Sequence, residues 1–304
     1  MTSFGMFIEL LINWKEAIAM HALKKGISQW AFPADMNLGS CFKLAKEAKF
    51  DGIEVAIAEE GEINLRSTKN EIKKIVKLSN SIGIEISSLA TGLFWDYSLT
   101  SDDSAEREKA KNIIKKMLEV ASWLEVDTIL VIPGAVDVFF KPDFPVVSYD
   151  KVYECSLKAL KELAPLAESY KVNIAIENVW NNFLLSPLEM KTFIDSINSQ
   201  YVGVYFDVGN VLKNGFPEQW INILGNRIKR VHIKDYKKSI GTVEGFVNLL
   251  YGDVNWPAVI SALKEVPYSG FLTAELFPPK YHPESLIYET SISMDKILNR
   301  REDL

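Results

Sequence analysis

The chain has 304 residues, 48% of them hydrophobic and 24% charged, with a formal net charge of −6. That balance is ordinary for a folded globular protein and runs against a nucleic-acid partner, because phosphate backbones are gripped by clustered Lys and Arg. Acidity leaves room for a small phosphorylated ligand, and length alone does not separate one large domain from two modest ones.

Met6 to Trp14 is apolar but too short to span a bilayer; Glu9 interrupts it, and it lacks a basic leader and a small-residue cleavage site. No membrane partner is expected, and the cytoplasm is the expected compartment. Residues 1–23 read as an N-terminal extension, either an amphipathic extra helix or an upstream start ahead of Met20, with the second favoured. Residues 24–300 read as one domain and residues 301–304 as a tail. Short apolar or β-branched runs predict strands at Gly26–Ala31, Gly52–Ile57, Ile84–Leu89 and Thr128–Ile132. Further strands are predicted at Val172–Glu177, Val202–Asp207, Arg230–Lys234 and Phe271–Leu276. Between them, Ser67–Ile82, Ser104–Glu125 and Tyr149–Tyr170 carry apolar residues at helical spacing. Ile113, Ile114, Met117, Leu118, Ala121 and Leu124 form one such stripe, with Lys111, Lys115 and Lys116 off it. Helix starts are marked by Asp102-Asp103-Ser104, by Ser148 and by Ser186-Pro187. Cys41 and Cys155 have no C-x-x-C partner and read as free, buried thiols.

Strands alternating with helices in an undivided chain predict parallel strands with crossover helices, closed as a single-domain (β/α)₈ TIM barrel. A doubly wound open sheet is the rival, but its Gly-rich turn after the first strand is missing from Ser28-Gln-Trp-Ala-Phe-Pro33.

The last four predicted strands carry Glu177, Asp207, His232 and Glu275 at or near their ends. A strand-end carboxylate is often only a cap, as Asp207 would be ahead of Gly209 and Asn210, and a lone histidine is often structural. In a barrel, however, all four would meet at one mouth. Three acids in an apolar funnel repel one another and are poorly solvated, which one divalent metal per chain would relieve. The oxygen-rich set favours Mn²⁺, with Mg²⁺, Co²⁺ or Zn²⁺ as alternatives. Trp30 and Trp95 follow strands one and three, where they could cover a sugar or pack on their neighbours. The segment Asp235 to Trp256 reads as a lid, with Lys234, Lys237 or Lys238 offering a phosphate contact.

The motifs Asp51-Gly-Ile-Glu54, Ile176-Glu-Asn178, Phe206-Asp-Val-Gly-Asn210, His232-Ile-Lys-Asp235, Gly252-Asp-Val-Asn-Trp256 and Thr273-Ala-Glu275 occur in this order. Together they resemble the xylose-isomerase-like barrel superfamily, nearest its ketose-phosphate 3-epimerase and hexulose-6-phosphate isomerase branch. The resemblance implies that Glu177, Asp207, His232 and Glu275 hold the metal and that Glu177 and Glu275 also form the acid–base pair. It further implies that Glu54 lines the mouth and touches substrate, with Asn178 and Asn210 as further contacts. Free-ketose epimerases usually carry His where this chain has Asn210, which favours a phosphorylated ketose. The implied partner is a small sugar or sugar phosphate, with self-association compatible. The alternatives are a 3-epimerase of free ketoses, an inosose-type dehydratase, an endonuclease of abasic DNA (disfavoured by the acidic charge) and a non-catalytic sugar-binding barrel.

Overall fold

Strands that are apolar on both faces need side chains packed inside them and helices outside. Val202-Gly-Val-Tyr-Phe-Asp207 is buried throughout and Asn173-Ile-Ala-Ile-Glu177 nearly so. A computed structural model, which describes residues 23–300, closes eight such strands into a parallel barrel. They are β1 Leu23–Ser28, β2 Gly52–Ala56, β3 Glu85–Ala90, β4 Thr128–Val131, β5 Asn173–Glu177, β6 Val202–Asp207, β7 Ile228–Ile233 and, after two short ribbon strands, β10 Gly270–Ala274. Strand β10 pairs with both β7 and β1, which closes the ring. The expected (β/α)₈ architecture is therefore present; the tail and all of the expected N-terminal extension except Leu23, which begins β1, lie outside the described residues.

Helices pack their apolar stripes on this ring. The residues predicted for the stripe of helix Ser104–Leu124 are all buried, and Asp103 caps the helix through the Ala105 N–H at 2.8 Å. Ser186 caps Pro187–Ile197 as expected. Ser148 stands at the N-cap of Tyr149–Tyr170, but its side chain makes no capping bond. Strand β1 differs from expectation at both ends. It starts at Leu23, and Gln29–Ala31 winds into a 3₁₀ turn, with Ser28 accepting from the Trp30 N–H. Cys155 is half-buried, not buried as expected, whereas Cys41 is buried. No described helix is long and apolar enough to cross a membrane.

The connection after β7 folds into an antiparallel ribbon of β8 Asp235–Tyr236 and β9 Phe246–Val247. Asp235 organises it, accepting from the N–H groups of Leu250 (3.0 Å) and Val254 (3.2 Å) and from Trp256 Nε1 (3.1 Å). A Cβ on Gly252 would lie 2.1 Å from Asp235 Oδ1, so the glycine is required by close approach.

Candidate metal and acid–base site

Side chains alternate along a strand, so residues two apart share a face. Tyr205 and Asp207 on β6 thus share the inner face, as do His232 on β7 and Lys234 just past it. Register sets their heights: Asp207 lies beside His232, Thr273 beside His232 and Glu177 beside Tyr205. Glu275 follows β10 directly, its N–H still bonded to the Ile233 carbonyl at 3.1 Å. The result is the predicted convergence. One potential ligand atom from each of Glu177, Asp207, His232 and Glu275 lies within 4.8 Å of the others.

Hydrogen bonding separates the two faces of His232 and of Asp207. His232 Nε2 lies 2.9 Å from Glu54 Oε1, while Nδ1 faces Glu177 Oε1 at 3.5 Å and Glu275 Oε2 at 3.6 Å. Asp207 Oδ1 accepts from the Asn210 N–H at 2.7 Å. Glu177 Oε1, Asp207 Oδ2 and His232 Nδ1 are buried without a hydrogen-bond partner. Such orphaned donors and acceptors are costly unless something binds them. Two carboxylate oxygens and an imidazole nitrogen turned towards one point, with a third carboxylate alongside, are a donor set that fits a divalent ion.

Lys234 is the cation within this cluster. Its Nζ bonds Glu275 Oε2 and lies 3.1 Å from Asp207 Oδ2. Burial alone would lower its pKa, but Asp207, Glu275 and Glu177 push it up. The carboxylates respond unequally. Burial pushes Glu177 up to about 7, against the pull of His232. Burial likewise raises Asp207, partly countered by Lys234. Glu275 is held below the ordinary range because Lys234 and His232 together outweigh its burial. His232 is raised, since Glu54 and Glu275 outweigh the desolvation of the ring.

Above the cluster lies a cavity of about 630 Å³, lined by Trp30, Trp95, Phe139, Phe140, Trp180, Phe246 and others, with Glu177, Asn210, Lys234 and Glu275 on its floor and wall. Trp30 and Trp95, the two aromatics singled out after strands one and three, both line it. Trp95 also packs edge-on against Phe140, ring centroids 5.0 Å apart, so it both lines the cavity and packs on a neighbour.

Four residues expected at the substrate lie off the cavity lining. Glu54 is not at the mouth: it is fully buried below the cluster, bonded to His232, Tyr205 and Ser88. Asn178 is buried too, donating to the Asp207 carbonyl and accepting from its N–H, both at 2.8 Å, and so fixes that residue's backbone. Lys237 and Lys238 are exposed and absent from the cavity lining, and Lys238 Nζ stacks 4.6 Å over Phe216. Residues missed from the sequence include Tyr205, Ser88 and the wall formed by Phe139, Phe140, Trp180 and Phe246. Only Tyr205 left a signal, lying two positions before Asp207.

A family model described as Xylose isomerase-like TIM barrel matches residues 42–296. An uncharacterised protein of Methanocaldococcus jannaschii is 26% identical over 258 residues, covering 83% of each chain. A protein named L-ribulose-5-phosphate 3-epimerase from Shigella flexneri serotype 5b is 24% identical, covering 83% of this chain and 86% of its own. Among solved structures, a D-psicose 3-epimerase in the presence of D-fructose superimposes with TM-score 0.74 at 19% identity, over 91% of this chain and 99% of its own. The IolI protein with a zinc atom gives TM-score 0.73 at 19% identity, over 93% of this chain and 100% of its own.

Proposed function

We propose, from the premise that this chain belongs to the xylose isomerase-like TIM-barrel family, that it is a divalent-metal-dependent isomerase or 3-epimerase of a ketose, a ketose phosphate being favoured. The observation that carries this reading is the convergence of Glu177, Asp207, His232 and Glu275, three of them with buried ligand atoms that make no hydrogen bond, Asp207 Oδ2 meeting only the Lys234 ammonium. A divalent ion held there, Mn²⁺ by preference, would serve as a Lewis acid towards the carbonyl and neighbouring hydroxyl oxygens of the sugar.

The chain's own residues supply the proton transfers. Epimerisation removes a proton from the carbon beside the carbonyl on one face and returns one to the other face. Glu177 and Glu275 sit on β5 and just past β10, strands separated in the ring by β7 and β6, in environments that push their proton affinities apart. Glu275 beside Lys234 is suited to begin as base, and Glu177 to carry the returning proton. The aromatic wall keeps water from the enediolate and offers apolar faces to the sugar. A phosphorylated substrate is supported by the names of relatives such as the Shigella flexneri protein and by Lys234, the one Lys or Arg among the described lining residues.

The test is a panel of ketoses and ketose phosphates with Mn²⁺-loaded protein in deuterated water. Deuterium is expected beside the carbonyl of one phosphoketose, and exchange into none of the panel would contradict the reading. Glu177→Gln and Glu275→Gln should each lower the rate by about 10²–10⁴-fold. A variant keeping most of its turnover would refute the acid–base assignment.

A further inference from the structure

Glu54 occupies a place that neither the mouth nor the cavity explains. It lies on β2, with Ser28 of β1 beside it on one side and Ser88 of β3 on the other, and has no exposed surface. A buried carboxylate is tolerated only when its lone pairs are used. Here they are: Oε1 meets His232 Nε2 at 2.9 Å, and Oε2 accepts from Tyr205 OH at 2.5 Å and Ser88 Oγ at 3.0 Å. The partners come from β3, β6 and β7, so the carboxylate is fixed from three directions. The Tyr205 ring also lies 4.3 Å from the imidazole, centroid to centroid, which limits tilting of the histidine.

The consequence is chemical as well as geometric. An ionised carboxylate only accepts hydrogen bonds, so the Nε2 that faces it must carry the proton. In the neutral ring, Nδ1 is then the bare nitrogen, and this is the atom turned towards Glu177 and Glu275 without a hydrogen bond. We propose that Glu54 is the positioning residue of the metal centre: with Tyr205 and Ser88 it locks His232 so that Nδ1 is the ligand atom. Outer carboxylates that accept from a ligating histidine fix its orientation and strengthen it as a ligand, and their loss costs about 10–100-fold in metal affinity. This assignment rests on the proposed metal site and deepens it.

The test uses Zn²⁺ as a diamagnetic probe with the full-length chain. Nitrogen-resolved NMR of the imidazoles is tractable because the chain holds three histidines. In the Zn²⁺-loaded wild type, His232 should show a slowly exchanging proton on Nε2 and none on Nδ1. The reverse pattern, with Zn²⁺ on Nε2, would overturn the proposal without any variant. Glu54→Gln, similar in shape but uncharged, should bind Zn²⁺ about 10–100-fold more weakly in a chelator competition. A folded Glu54→Gln protein with unchanged affinity, even if less stable to heat, would reduce Glu54 to a packing role and overturn the proposal while leaving the metal site standing. Failure of the wild type itself to bind Zn²⁺ or Mn²⁺ would remove both.

Discussion

Lys234 places a positive charge among three carboxylates, bonding Glu275 and standing 3.1 Å from Asp207, and it helps to hold the Glu275 carboxyl below its ordinary range. Removing that charge in Lys234→Met should let burial raise the Glu275 carboxyl. A base must be deprotonated to act, so the acidic limb of the rate profile should move to higher pH; an unmoved limb would argue that Lys234 does not set the ionisation of Glu275. Cys41 gives a second, independent test of burial. Its thiol is pushed from 9.0 up to about 12, chiefly by desolvation. Iodoacetamide needs the thiolate, so at pH 8 the native protein should be alkylated at half-buried Cys155 and spared at Cys41; rapid modification of Cys41 would contradict its placement. By linkage, an acid whose folded pKa is raised stabilises less as pH climbs past its unfolded value, so this contribution falls above pH 9.0. The four converging residues were legible because each stands at or near a strand end, where alternation and the barrel mouth jointly place it. Glu54 was not, since alternation gives the face of a strand but not its height. Height depends on the stagger between neighbouring strands, which no local pattern encodes.

The connection from Asp235 to Trp256 is the element whose form departed most from its sequence. Its length and its lysines suggested a lid with a phosphate contact; the chain folds it as a ribbon fastened on Asp235, with Phe246 and Val247 on the cavity and Lys237 and Lys238 off its lining. That use of an acid leaves no periodic trace, because its donors lie at scattered positions down the loop. Asp235→Ala would leave the buried Val254 N–H and Trp256 Nε1, and the Leu250 N–H, without their acceptor. Each buried donor left unpaired costs about 1–3 kcal/mol, so a loss of at least about 2 kcal/mol is expected from the denaturant midpoint. Because Phe246, Val247 and Asn248 line the cavity, substrate binding should weaken as well. A variant with unchanged stability would show that the ribbon is held by its two-strand pairing instead. The helices were easier to read: the Ser104–Leu124 stripe follows from period alone, and only the side-chain bond at Ser148 failed to form.

At the scale of the molecule, closure of the ring is what turns four distant segments into one site. Lys25 contributes from the far end of the chain, its buried ammonium bonding Ser291 Oγ at 2.9 Å and Asp295 Oδ1 at 2.8 Å, which ties β1 to the last helix, Pro283–Ile297. The barrel was legible from alternation of strand and helix, because parallel strands cannot be joined without crossovers. The exact strand limits were not, since turns such as Gln29–Ala31 are decided by local capping. The central claim is that Glu177, Asp207, His232 and Glu275 form a single divalent-metal site. The most direct measurement is the metal content of chelator-stripped protein reloaded with Mn²⁺, for the wild type and for folded Asp207→Asn and His232→Ala variants. One tightly held ion per wild-type chain, lost or greatly weakened in both variants, is the predicted result; equal metal content in all three would contradict it.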